Sequence, residues 1–216
     1  MYSFDLAEDF VGVKDKISKR EFTVSYADYF AYCSHIKEAM NIAAAADGTS
    51  YTLPPGCLSI DFPSQRTIGL EVLIPEQRRR IIYSKIPETP YLIVAPRLKM
   101  KVLLVGVLSP KGVLQWSAKT ITFHLALDAK GQELRHVPLP NVYSDGKVCW
   151  GGNAYNTPFT GNDLSPVMKY YEVFMSSPFN NDLWISFGEF SGPQKWFEHL
   201  SSVSEFPYDL FRSYSS

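Results

Sequence analysis

The chain has 216 residues, of which 45% are hydrophobic and 14% aromatic, enough for one domain with a substantial core, with or without an extension. Its formal net charge of −1 gives no general electrostatic reason to bind nucleic acid or an anionic membrane. The first residues are acidic where a signal peptide would be basic, and no apolar run is as long as a membrane span. We therefore expect a globular cytoplasmic protein without a membrane or nucleic-acid partner.

Residues 1–55 are predicted to form an N-terminal extension with a long helix. From Ser25 onward, apolar residues recur every three or four positions as far as an Asp-Gly pair that would end the helix. Cys33 lies on this apolar face, and we expect it in the core. The Leu-Pro-Pro-Gly break at residues 53–56 predicts a boundary with a second part, residues 56–216.

Short β-rich segments follow this break. They alternate with turn signals of a few residues that contain Pro, Gly, Ser or Lys. Connections this short favour antiparallel pairing over βαβ crossovers, so the sequence predicts an antiparallel β-meander. The predicted strands are 58–62, 68–74, 79–83, 91–94, 102–108 and 113–127.

Helices are predicted near the C-terminus. Ser165 followed by Pro166 is typical of a helix start, and the apolar residues beyond it share one face of a helix that ends near Ser177. A second short helix is predicted at 193–200. The aromatic tail, residues 206–211, is expected to pack on its own domain.

One segment carries a chemical prediction, residues 139–150, which read Leu-Pro-Asn-Val-Tyr-Ser-Asp-Gly-Lys-Val-Cys-Trp. Pro140 fixes its φ angle and Gly146 permits a turn, so the backbone can bring Asn141 near Cys149. An amide beside a thiol that carries an acyl group can donate to the oxyanion formed when the carbonyl is attacked. A thiolate and an oxyanion donor are the minimum needed for acyl transfer.

This loop resembles the active-site loop of ubiquitin-conjugating enzymes, whose signature begins His-Pro-Asn. The signature has its catalytic cysteine as far beyond the Pro-Asn pair as Cys149 lies beyond Pro140 and Asn141 here. Leu139 stands at the position of the histidine. That departure resembles the prokaryotic ubiquitin-conjugating-enzyme-like family D, which includes the PRTRC system protein B group. In that branch the histidine is missing, the cysteine is kept and a glycine-containing segment follows, as in Trp150-Gly-Gly here. The resemblance is strongest over about residues 75–179.

The resemblance implies an α+β, ubiquitin-conjugating-enzyme-like fold, in which an N-terminal helix and C-terminal helices flank the meander and an active-site loop spans residues 139–152. It implies a transferase that carries a ubiquitin-like protein as a thioester on Cys149 and passes it to an amine while Asn141 stabilises the oxyanion. The implied partners are the ubiquitin-like protein, a ThiF-like activating enzyme and a JAB-type metalloprotease encoded nearby. We expect no cofactor and no metal, because the chain has neither a P-loop nor a CxxC pair.

Other residues of the loop have alternative roles. Asn141 could instead only hydrogen-bond the loop backbone. Asp145 could orient an incoming ammonium group or be the turn residue that precedes Gly146. Tyr143 belongs to the same loop, and Trp150 is expected to pack while lining part of a groove. Farther on, the polar residues 180–182 fall where family members can carry an acidic group near the attacking lysine.

Two other functions stay open. In the first, Cys149 is the nucleophile of a thiol hydrolase with a histidine base, for which His124, His136 and His199 are candidates. In the second, the protein is a non-catalytic scaffold that binds a ubiquitin-like protein or organises a plasmid-borne gene system. The retained cysteine favours catalysis, and the missing histidine favours the scaffold.

Overall fold

The structure is a computed structural model. It describes residues 2–6, 10–15, 21–25, 42–44, 49–64, 66–128, 132–134, 136–151 and 158–212. Residues 26–41, which hold most of the predicted N-terminal helix, and Cys33 within them, lie outside the described residues. In the ranges given above, no helix combines the length and the apolar character needed to cross a membrane.

The described N-terminal segments are strands. β1 (Tyr2–Leu6), β2 (Phe10–Asp15) and β3 (Glu21–Ser25) form an antiparallel sheet, and β4 (Ile42–Ala44) pairs with β5 (Ser50–Thr52). The predicted helix is therefore wrong at its C-terminal end. An Asp-Gly pair is as typical of a β-hairpin as of a helix end, and strand pairing here outweighs the high helix propensity of alanine, as tertiary context often does.

A six-stranded antiparallel sheet forms the centre of the protein, which confirms the predicted α+β class. Its strands are β6 (Cys57–Ser64), β7 (Thr67–Ile74), β10 (Leu98–Leu108), β11 (Leu114–Ala126), β12 (Glu133–Leu134) and β13 (Phe159–Thr160). The main order is β12-β11-β10-β7-β6, and β13 also pairs with β11.

The strand order differs from a simple meander at one place. β8 (Gln77–Tyr83) and β9 (Ile86–Ala95) pair with each other and with no other of the described strands, so that β7 lies directly beside β10. The helices explain this hairpin, because α1 (Met168–Ser176) packs on β8 and α2 (Pro193–Ser202) packs on β9. The hairpin thus serves as a platform for the helices.

Strict alternation along β10 shows which face of the sheet is the core. From Leu98 to Gly106 every second residue is buried, as expected for a strand with one face covered. The side chains between them include Lys99 and Lys101, which form ion pairs of 3.0 and 2.6 Å with Glu133 of β12 on the opposite face. The buried set is Leu98, Met100, Val102 and Leu104.

The start of α1 differs in detail from the prediction. A 3₁₀ turn, Ser165–Val167, precedes the helix, and Ser165 makes no side-chain capping bond. The carboxylate of Asp163 instead accepts the backbone N–H of Ser165 at 2.9 Å. Ser165 is therefore wrong as the cap, because an acidic residue two positions earlier satisfies the free N–H group.

α1 is fixed between the sheet and the β8–β9 hairpin. The ring of Phe174 lies 4.9 Å from that of Phe123 on β11, and the ring of Tyr171 lies 6.2 Å from Phe123. On the hairpin side, Arg79 pairs with Glu172 and lies 5.0 Å above the Tyr171 ring. These contacts hold the end of α1 close to the loop that contains Cys149, residues 139–150, here called the cysteine loop.

The aromatic tail packs on its own domain, as predicted. Phe206 and Phe211, the latter in α3 (Asp209–Arg212), are buried against Trp196 of α2. The buried indole N–H of Trp196 donates to the carbonyl of Pro138 at 2.7 Å. The tail therefore supports the residue from which the cysteine loop begins.

The predicted division at residue 55 is crossed by contacts. Tyr51 and Leu53 are buried in the same core as the central sheet. Thr52 donates its N–H to Asn162 and accepts from the N–H of Leu164, both at 2.8 Å. The division into two parts stays a prediction.

Candidate active site

The cysteine loop is attached to the free edge of β11. β10 occupies one edge of this strand, and three short segments share the other: β12, the loop, and β13. The loop takes the middle position. Phe123 donates its N–H to the carbonyl of Gly146 at 2.8 Å, and Lys147 forms a bridge with Thr122. The loop therefore satisfies backbone groups that the edge of β11 would otherwise leave open.

Residues 141–149 fold into a small antiparallel unit, here called the cysteine hairpin. Val142 is bridged to Val148, Tyr143 donates its N–H to Lys147 at 2.8 Å, and Cys149 donates its N–H to the carbonyl of Asn141 at 2.7 Å. The turn lies between the two short arms. The predicted approach of Asn141 and Cys149 is thus a direct backbone pair.

The pairing divides the side chains between two faces. Val142 and Val148 are 1% and 8% exposed and face the core. Because successive side chains in a strand point to opposite faces, the neighbouring positions point outward. Cys149 on this outward face is half-buried and forms no disulfide. The other outward positions on the two arms are Tyr143 and Lys147.

Tyr143 contacts the thiol. It lies diagonally across the hairpin from Cys149, a spacing that a long aromatic side chain can bridge. Its hydroxyl donates to the sulfur, and this hydrogen bond and the charge of the thiolate raise the pKa of Tyr143, with smaller contributions from desolvation and Asp145. Sequence reasoning placed Tyr143 in the loop without a role. The two-residue period of the hairpin was the signal that could have identified this contact.

Asp145 is a turn residue that also holds Lys147. Its carboxylate accepts the backbone N–H of Lys147 at 3.0 Å and lies 2.7 Å from the ammonium group. Hydrogen bonds from Lys147 lower the pKa of Asp145, and the Asp145 carboxylate raises the pKa of Lys147. Both side chains are exposed. The backbone contact supports Asp145 as the turn residue, and its other predicted role, to orient an incoming ammonium group, stays a prediction.

The side chain of Asn141 reaches away from the hairpin. Its φ angle is +63°, which makes it the single non-glycine residue with positive φ in the described ranges. Its amide donates to the carbonyl of Pro178, just after α1, at 3.1 Å. An Asn side chain has two N–H donors, and this bond uses one of them. The polar residues 180–182 begin two positions beyond Pro178, and the side chain of Asn181 among them accepts a hydrogen bond from Tyr83 of β8.

Leu139 and Pro140 anchor the start of the loop. Leu139 is 2% exposed, and Pro140 is also buried. The position at which the ubiquitin-conjugating signature has a histidine is therefore part of the hydrophobic core here. The indole of Trp196 holds the preceding residue, Pro138, through its carbonyl.

Trp150 and Gly151 end the described part of the loop. The ring of Trp150 lies 6.3 Å from that of Phe174 in an edge-on arrangement, so it packs on α1 as expected. Residues 152–157, which include the last residue of the predicted loop, lie outside the described residues.

The three histidines proposed as hydrolase bases have other surroundings. His124 Nδ1 lies 3.4 Å from the carboxylate of Glu133, on the face of the sheet opposite the core. Among the described residues, neither ring nitrogen of His136 has a hydrogen-bond partner, and burial lowers the pKa of His136. His199 stacks on Trp196 in the aromatic cluster. His136 is therefore not paired with Cys149.

The described residues also contain no group of three or more His, Cys, Asp or Glu side chains arranged as metal ligands. The other described cysteine, Cys57, differs from Cys149 in its surroundings. Its thiol donates to the carbonyl of Ser59, and burial raises its pKa to about 11. Cys57 is therefore a poor nucleophile near neutral pH.

Comparison with protein families identifies the segment that contains this site. Residues 126–209 match the family model described as Prokaryotic E2 family D. An E2 is a ubiquitin-conjugating enzyme. The match therefore confirms the family resemblance that was predicted from the loop. The family supports an E2-like role in a conjugation system, with a ubiquitin-like protein as the general partner. No curated protein and no solved structure matches the chain.

The matched segment differs from the expected one, which was 75–179. It begins at the last residue of β11 and continues through α1 and α2, so that it covers less than half of the chain. The likeness to the prokaryotic E2 family therefore rests on the cysteine hairpin and the helices that support it. Most of the central sheet lies before the match.

We predict that Leu139→His, which restores the residue of the E2 signature, destabilises the protein by on the order of 3 kcal/mol. The change removes buried apolar surface and places an imidazole in the core. Urea denaturation measures the effect. Leu139→Met is the control, because a swap of similar volume costs less than about 1.5 kcal/mol. Equal stability of Leu139→His and the original protein would contradict a purely apolar environment.

We also predict that Gly146→Ala loosens the cysteine hairpin from β11. Gly146 has a φ of +85°, and a Cβ atom there would lie 2.7 Å from the carbonyl oxygen of Phe123. Gly112→Ala is a matched control, because its φ is +75° and nothing lies within 4 Å of its Cβ position. Both should cost about 1–2 kcal/mol for the left-handed backbone.

The clash should add to this cost in Gly146→Ala only. Hydrogen exchange at the Phe123 amide, which donates to Gly146, should accelerate in that variant and stay unchanged in Gly112→Ala. Equal exchange rates in the two variants would show that Gly146 is needed for its φ angle alone.

Proposed function

We propose that this chain accepts the C-terminal acyl group of a ubiquitin-like protein as a thioester on Cys149 and passes it to an amine. One observation carries the proposal. Cys149 is a free, partly exposed thiol on the outward face of a hairpin attached to the sheet, within the segment that matches prokaryotic E2s. The residue is partly exposed, and the backbone of the hairpin behind it is held by the sheet.

The first step would be a thioester exchange. The Cys149 thiolate attacks the thioester carbonyl of an activating enzyme, a new S–C bond forms, and the activating enzyme leaves as a thiolate. One thioester replaces another, so this chain needs no nucleotide. We propose a ThiF-like protein as the activating enzyme and a plasmid or mobile-element system of the PRTRC type, with a JAB-type metalloprotease, as the setting.

The second step would be aminolysis. A neutral amine attacks the thioester, an N–C bond forms, the S–C bond to Cys149 breaks so that the sulfur leaves as a thiolate, and the amine proton goes to water. The Tyr143 hydroxyl donates to this sulfur. Hydrogen bonds to charged acceptors are stronger than those to neutral ones, so the contact favours the leaving thiolate over the thioester.

Asn141 would contribute to the same step. Its backbone carbonyl holds the amide of Cys149, and its side chain holds the Pro178 carbonyl. The second amide N–H can serve as the oxyanion donor predicted from the sequence. We propose that Asp182, four residues beyond Pro178, is the acidic group near the attacking amine.

The thioester step predicts a trapped adduct. With the ThiF-like enzyme and the ubiquitin-like protein, the original chain should form an adduct that thiol reductant removes. Cys149→Ser should give an oxyester and Cys149→Lys an amide, both stable to reductant. Gel electrophoresis and mass spectrometry measure these products. Absence of any adduct with an active activating enzyme would contradict conjugation and favour the non-catalytic scaffold.

Cys57→Ser is the matched control for this experiment. Because burial raises the pKa of Cys57 to about 11, its thiolate is scarce near neutral pH, and its loss should leave loading unchanged. Loading that is lost in Cys57→Ser would show that Cys57, and not Cys149, is the acyl carrier.

For Asn141, we predict that Asn141→Gly keeps loading and slows transfer to free lysine by about a hundred- to a thousandfold, the typical effect of losing one oxyanion donor. Glycine accepts the φ angle of +63° without strain, so this variant tests the side chain alone. Asn141→Ala adds backbone strain and should also lower stability. Equal transfer rates for Asn141→Gly and the original chain would leave Asn141 a purely structural role.

A further inference from the structure

A lysine lies beside the proposed thioester. Lys147 precedes Cys149 by two residues on one arm of the cysteine hairpin, so both side chains point outward. Residues two apart on a strand are separated by roughly 7 Å, a distance that the flexible four-carbon stem of lysine can cover. The acyl carbonyl on Cys149 would therefore be within reach of the Lys147 amine.

A second set of contacts places the same groups together. The hydroxyl of Tyr143 donates to the sulfur of Cys149 and also experiences the charge of Asp145. The Asp145 carboxylate lies 2.7 Å from the Lys147 ammonium group. Tyr143 is joined to Lys147 by a backbone hydrogen bond of 2.8 Å. The ammonium group, the carboxylate, the hydroxyl and the sulfur thus share one exposed surface.

We propose that Lys147 is an intramolecular acceptor for the acyl group on Cys149, and that its ion pair with Asp145 restrains this self-modification. The inference rests on the proposed thioester function. It assigns a modification site, and it assigns to Asp145 a role beyond shaping the turn.

The reaction balances without any further reagent. The neutral Lys147 amine attacks the thioester carbonyl, an N–C bond forms, and the S–C bond breaks. The sulfur leaves as a thiolate that accepts from the Tyr143 hydroxyl, and the proton of the amine goes to water or to the Asp145 carboxylate. The products are an amide on Lys147 and a Cys149 thiolate, which can then take up a proton from water.

Asp145 opposes this reaction through charge. An ammonium group has no free electron pair, and the carboxylate favours that protonated form. Asp145→Asn separates the two roles of this residue. The Asp145 carboxylate accepts the backbone N–H of Lys147 at 3.0 Å. An Asn side-chain oxygen can accept the same hydrogen bond, while the negative charge is lost.

The test uses the full-length protein and a fluorescent, N-acetylated peptide with a C-terminal glycine thioester of mercaptoethanesulfonate. Adducts that reductant removes report loading of Cys149. Adducts that resist reductant report transfer to nitrogen, and tandem mass spectrometry identifies the residue that carries the acyl group. The variants are Asp145→Asn, Lys147→Arg, Cys149→Ser and, as a control at an exposed lysine of the β10–β11 turn, Lys111→Arg.

The original chain should form a reductant-resistant adduct on Lys147 slowly. Asp145→Asn should form it about two- to fivefold faster, because an exposed ion pair restrains only modestly. Lys147→Arg and Cys149→Ser should lower it at least about tenfold, and Lys111→Arg should leave it unchanged.

The failures are distinct. No loading of Cys149 would overturn the thioester function and this inference with it. Loading without an adduct on Lys147 in Asp145→Asn, or an equal yield in Lys147→Arg, would overturn the inference alone. Equal acylation of Lys147 in Cys149→Ser would show direct attack on the peptide and would also overturn it.

Discussion

The free edge of β11 is the constraint on which the candidate site depends. An unpaired edge strand exposes a row of backbone N–H and carbonyl groups that must find partners, and three short segments supply them here. Because the cysteine hairpin lies between β12 and β13, its position along β11 is fixed on both sides. The thiol is therefore positioned by the central sheet, although it belongs to a loop.

The loop is held without the histidine of the E2 signature. Leu139 takes that position and is buried, so apolar packing replaces a polar contact at the start of the loop. Two long-range hydrogen bonds complete the attachment: the Trp196 indole to Pro138, and the Asn141 amide to Pro178. The start of the loop is thus held by the burial of Leu139 together with these two hydrogen bonds.

Local signals in the sequence predicted much of this structure. Alternating apolar residues and short turns predicted the antiparallel sheet, and the loop sequence predicted a backbone approach of Asn141 to Cys149. Contacts between distant residues could not be predicted in the same way. Asn141 reaches Pro178, and the β8–β9 hairpin leaves the sheet to support two helices that come much later in the chain. Tertiary packing decides such choices, and a periodic pattern does not record it.

The register of the cysteine hairpin determines both how the hairpin packs and which way the thiol points. A slip of one residue would turn Val142 and Val148 out of the core and would turn the thiol inward. The left-handed turn at Gly146, pressed against the Phe123 carbonyl, opposes that slip. The burial of two valines therefore determines that Cys149 faces outward, with Tyr143 beside it. The polar groups around the sulfur are a consequence of how the hairpin packs.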